Sequence, residues 1–184
     1  MYHVKTYDCA LMSGALPPFL DLGQAARLDL RYSGSLAVSS LPRLVSALAG
    51  DAGRAEVELR AAPEVGGRIV VTGRIRAPLQ MTCQRCLESV TLEVQTEPRL
   101  AWVNSDAEME ALSPEYDPLL STDGRVALAD LVEDELLLAL PLAPRHADGA
   151  CREIRKATAQ SVPAAEEDGR KNPFADLAKL KRGR

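Results

Sequence analysis

Aromatic residues are scarce: two Phe, one Trp and four Tyr make up 4% of the 184 residues. That excludes a broad platform for stacking bases and leaves the core to Leu, Val and Ala. No excess of positive charge is present either. Lys and Arg number 22 against 26 Asp and Glu, a formal charge of −4, which disfavours a body that grips a phosphate backbone. No apolar run approaches the ~20 residues needed to cross a bilayer, and no basic stretch followed by an apolar one opens the chain. A cytoplasmic protein with no membrane association is expected. No Ser, Cys or Lys nucleophile has a recognisable partnering base nearby, so no catalytic residue and no small-molecule substrate is expected. Four cysteines in that compartment are more naturally thiols or metal ligands than a disulfide framework.

Two of those cysteines, Cys83 and Cys86, form a C-x2-C turn between segments that each read as β-strand. The spacing lets both sulfurs face one tetrahedral metal ion. It equally suits a dithiol couple, but a thioredoxin-type motif opens a helix, whereas Ser89 to Val94 alternates polar and apolar like a strand. A metal knuckle at a hairpin tip is therefore favoured. The other candidate ligands are few: His3 and Cys9 near the N-terminus, and His146 and Cys151 in one short loop. The latter pair would complete a structural zinc site of three cysteines and one histidine, Cys83, Cys86, His146 and Cys151. Two alternatives stay open: unligated thiols in a strand turn beside an exposed loop histidine, and redox or redox-sensing chemistry at Cys83 and Cys86.

The patterning predicts an α+β fold, an antiparallel meander carrying the cysteine knuckle and packed against one long and one or two short helices, with a flexible C-terminal tail. Residues 1–24 give no clean period and read as mostly irregular. Ala26 to Leu36 reads as a half-buried strand interrupted at Ser33-Gly34-Ser35. Ser40 precedes an apolar stripe of Leu41, Leu44, Val45 and Leu48 with Pro42 in its first turn, a short helix. Strands follow around Ala55–Arg60, Ile69–Met81 and Val90–Val94. Residues 104–118 carry five carboxylates and no basic residue, a solvated acidic loop or short helix. Arg125 to Pro141 is the strongest helix, with Asp130 and Glu133 at capping-box spacing. Leu137 and Leu138 fall off its apolar face, so the final turn is apolar almost all round, either deeply buried or a partner surface, with burial favoured. Arg68, Arg74, Arg76 and Arg85 around the knuckle read as solvated strand positions.

Three parts are expected: a single domain over 1–155, a flexible linker over 156–170, and a short basic amphipathic helical tail over 171–184. From Lys171 to Arg184 there are five basic residues and one acidic. Asn172 and Pro173 suit a helix start, and Phe174, Leu177 and Leu180 form an apolar stripe beside Lys179 and Lys181. A helix this short is marginal alone, so it must dock on this chain or on a partner.

Four motifs in fixed order resemble the YceD family of bacterial and plastid proteins, described as large ribosomal RNA subunit accumulation proteins. They are Cys83-Gln84-Arg85-Cys86-Leu87; Val132-Glu133-Asp134-Glu135-Leu136-Leu137-Leu138-Ala139-Leu140-Pro141; Pro144, His146 and Cys151; and Asn172 to Lys181. The resemblance implies a non-catalytic ribosome-biogenesis factor supporting synthesis, processing or stability of large-subunit 23S ribosomal RNA. Its implied partner is a large ribosomal subunit precursor, through its RNA or a ribosomal protein. Some relatives look as if they hold more cysteines in the loop after the long helix; here only His146 and Cys151 stand there.

Overall fold

The computed structural model describes residues 16–64, 66–148 and 150–151. The readings placed on His3, Cys9, the 156–170 linker and the 171–184 tail with Phe174, Leu177, Lys179, Leu180 and Lys181 lie outside the described residues. Every element below belongs to the compact unit Met1–Ala150.

A short strand β1 (Phe19–Asp21) runs directly into helix α1 (Leu22–Leu28), because the Asp21 side chain accepts the Gln24 amide hydrogen bond at 2.8 Å and caps the first turn. This corrects two expectations. Residues 19–24 are not irregular, and the strand read from Ala26 begins only at Leu30, since Asp29 adopts a left-handed conformation (φ 47°) that ends the helix. Strand β2 (Leu30–Ala37) then continues through Ser33-Gly34-Ser35 without a break, each residue paired in register with its neighbour strand.

A 3-10 turn (Val38–Ser40) leads into α2 (Pro42–Ala47), with Pro42 in the first turn as the spacing predicts. Ser40 does not cap it. Its hydroxyl donates instead to the Ala37 carbonyl at 2.6 Å, and Leu41 at the cap position offers no side-chain acceptor.

Strands β3 (Arg54–Pro63), β4 (Ile69–Thr82) and β5 (Ser89–Thr96) form the expected antiparallel meander. In β3, Ala55, Val57, Leu59 and Ala61 are buried while Glu56, Glu58 and Arg60 face solvent, the alternation of a sheet wet on one side. Gly73 of β4 lies opposite Leu59. A Cβ there would run into the Glu58 carbonyl and sit 2.8 Å from the Leu59 Cα, so the two strands approach more closely than any larger residue permits.

The sheet then exceeds what alternation revealed. Strand β6 (Arg99–Val103) pairs antiparallel with the first part of β4 on the same edge that β5 occupies further along. Pro98, which has no N–H to donate, sits between them. Within the acidic stretch, α3 (Asp106–Glu110) is capped by Ser105, and Glu108 reaches back to the Asn104 amide at 3.0 Å. Strand β7 (Asp117–Leu120) joins β6 in parallel, so the sheet is mixed, in the order β2-β3-β4-β6-β7 with β5 also on β4. Strand β8 (Arg125–Ala127) pairs with β1 in a separate ribbon.

Helix α4 (Leu128–Leu138) is therefore shorter than the run from Arg125 predicted. The Asp130–Glu133 capping box does not form, because Ala127 holds the cap position. Leu128, Leu131, Val132 and Leu136 of α4 bury against α2, β4, β5 and β8. The expected burial of the whole final turn is also corrected, since Leu137 is half-buried and Leu138 is 83% exposed.

Candidate metal centre

The turn from β4 to β5 is held by its own backbone. The Cys83 amide donates to the Glu88 carbonyl at 2.8 Å and the Leu87 amide to the Cys83 carbonyl at 2.9 Å. Leu87 closes the turn in the left-handed region, at φ 62°. The Arg85 amide points at the Cys83 sulfur at 3.5 Å, the arrangement by which a knuckle stabilises a thiolate. Burial raises the Cys83 thiol, but the amides of Cys86, Arg85 and His146, together with the His146 ring, outweigh it and bring the pKa down to about 5.

The loop after α4 is stitched to this turn. The Gln84 amide donates to the Pro144 carbonyl at 2.8 Å, and Arg85 pairs with Asp148 at 3.9 Å. His146 Nε2 lies 3.1 Å from the Ser89 carbonyl. A carbonyl only accepts, so Nε2 carries a proton, and Nδ1, 3.4 Å from the Cys86 sulfur, is the nitrogen placed to ligate. This orienting contact is what a ligating imidazole needs from its other nitrogen. The ligand atoms of Cys83, Cys86, His146 and Cys151 all lie within 4.8 Å of one another. Donors around a zinc ion sit roughly 3.5–3.8 Å apart at ordinary Zn–S and Zn–N lengths, so the four need to draw in only slightly. The donor set fits zinc, and the structure brings together all four residues that the spacing singled out.

The strand that opens at Ser89, where a thioredoxin-type motif would open a helix, speaks against the dithiol alternative. Three features escaped the sequence reading: the carbonyls of Ser89 and Pro144, which carry no residue signature, and the remote partners of Glu133, to which the spacing gave only a local cap. Glu133 is 3% exposed and acts as a remote cap, accepting from the Leu44 amide at 3.0 Å and from Arg43 Nε at 2.7 Å. Asp134 takes the other side of the Arg43 guanidinium at 2.6 Å, and Glu135 accepts from the Thr96 hydroxyl at 3.1 Å. Three consecutive acids thus tie α4 to α2 and to β5. Of the arginines that the sequence sets around the knuckle, Arg74 pairs with Glu97 at 2.9 Å and Arg76 with Glu56 at 2.6 Å.

The model of the family described as large ribosomal RNA subunit accumulation protein YceD matches residues 71–181. The chain belongs to the YceD family. A YceD relative from Haemophilus influenzae, named large ribosomal RNA subunit accumulation protein YceD, is 30% identical over 167 residues, covering 90% of this chain and 96% of the relative. No solved structure matches. The YceD match spans both halves of the cysteine–histidine cluster and the acidic turn of α4.

Proposed function

We propose that this chain is a non-catalytic ribosome-biogenesis factor of the cytoplasm that supports the accumulation of large-subunit 23S ribosomal RNA, through its synthesis, processing or stability. The observation that carries the reading is the family match over residues 71–181, which includes the knuckle, the α4 motif and the loop after it. In this reading Cys83, Cys86, His146 and Cys151 hold a structural zinc ion that staples the loop after α4 to the strand turn. The low thiol pKa of Cys83 and the oriented His146 ring support it. The partner is a large-subunit precursor, engaged through the basic segment 171–184. No helix among the described residues is long and apolar enough to cross a membrane. Deletion of the gene, followed by quantification of precursor and mature ribosomal RNA, tests the reading: large-subunit RNA falls relative to small-subunit RNA. Unchanged RNA levels and subunit profiles overturn it.

A further inference from the structure

A groove of about 720 Å³ runs between the end of α4, the start of β6 and β7. Its apolar lining includes Leu100 and Leu131, both buried, and Leu137 and Leu138 from the last turn of α4. Leu138 is 83% exposed, a large apolar side chain at the lip. The polar lining is almost entirely acidic, from Asp117, Asp134 and Glu135, and no Lys or Arg lines the groove. Asp134 shares the Arg43 guanidinium with Glu133, so one of the three carboxylates has a cation at hand. Burial pushes the Glu135 carboxyl up, the Thr96 hydroxyl pulls it down, and the charges of Asp117 and Asp134 push it up again. A carboxylate whose folded pKa is raised costs stability as the pH rises through its titration.

An exposed apolar wall with an acidic rim is complementary to one kind of ligand, a helix with leucine-like side chains on one stripe and lysine or arginine beside it. We propose that this groove docks a basic amphipathic helical segment of a protein partner. The assignment deepens the ribosomal reading by placing the partner on the protein side of the large-subunit precursor. RNA is disfavoured as occupant because its phosphates would face Asp117 and Glu135.

The test is fluorescence anisotropy with the full chain and a labelled amphipathic Lys/Leu peptide of about 18 residues, long enough to hold a helix on a surface. A matched peptide with Glu in place of Lys is the control. The Lys/Leu peptide binds and the Glu/Leu peptide does not. Leu138→Asp, at an exposed position that leaves the fold intact by circular dichroism, weakens binding about tenfold. Asp117→Asn combined with Glu135→Gln weakens it about fivefold and flattens its salt dependence. Equal binding of the two peptides, or unchanged affinity in both variants, overturns the proposal. So does tighter binding on Leu177→Asp in the full chain, which would make the chain's own C-terminal segment the occupant. The assay contains no RNA, so its failure removes the groove assignment alone. Unchanged RNA on gene deletion removes the ribosomal reading instead.

Discussion

Leu87 pairs two unfavourable features: a left-handed backbone at φ 62° and a side chain 74% exposed. The left-handed conformation costs an L-residue roughly 1–2 kcal/mol, and glycine escapes that cost while losing more chain entropy on folding. Leu87→Gly is expected to stabilise the protein by about 0.5–1 kcal/mol, read from urea midpoints. A loss of stability would show that the leucine side chain contributes packing. Glu133 presents the opposite case, a buried carboxylate held by its partners. Burial raises its carboxyl, but the Leu44 amide and the Arg43 guanidinium outweigh burial and set it below its ordinary value of 4.5. A depressed folded pKa means that the contribution is complete above that ordinary value and disappears as the pH falls through the folded one. Glu133→Gln therefore costs about 1–2 kcal/mol at pH 7, and the gap to the wild type narrows as the pH drops below 4.5. A gap that stays constant across that range would mean that shape, not charge, does the capping.

At the scale of elements, α4 connects three parts of the molecule. Its buried side packs on β4 and β5, its acidic turn caps α2, and its C-terminal end feeds the loop that carries Pro144 and His146 to the knuckle. The described residues of that loop form no strand or helix, and the contacts that hold it to the knuckle include the Gln84–Pro144 hydrogen bond, the His146–Ser89 contact, the Arg85–Asp148 pair and the ligand cluster. Ion pairs this exposed contribute little. Protein purified without chelator is expected to carry about one zinc per chain, and its removal to raise hydrogen exchange at the Gln84 and Arg85 amides while those of Val57 and Ile75 in the sheet hold. Zinc content near zero, or exchange indifferent to chelation, would leave the loop held by protein contacts alone.

Over the whole molecule the charge is distributed unevenly. On the outer face of β2, β3 and β4, Arg60 pairs with Asp29, Arg76 with Glu56 and Arg74 with Glu97, while Arg54 bonds to Ser35. Residues 171–184 carry five basic residues against one acidic, an excess that the rest of the chain, with more acids than bases, lacks as a whole. Ending the chain after Gly169 should therefore leave the sheet and the cysteine–histidine cluster folded but strongly reduce co-sedimentation with large-subunit precursors, leaving only what the groove beside α4 holds, and Leu177→Asp should do the same with every basic residue kept. Full co-sedimentation of the shortened chain would move the contact to the body. The sequence by itself determined the central strands and their wet and dry faces, because alternation along β3, β4 and β5 is a local property of eight or more residues. It also singled out the four residues whose ligand atoms the structure brings within 4.8 Å of one another, because so few residues of the right chemistry were available. Tertiary structure alone decided the rest. Strands β1, β6, β7 and β8 span three to five residues, too few to show a period, and exist through the neighbours they pair with. Glu133 has the spacing of a local cap, yet its partner lies 89 residues away. The helical period already sets Leu138 off the face that holds Leu131, Val132 and Leu136, and only the position of the sheet beneath α4 decides that it stays in solvent instead of meeting a second covering layer.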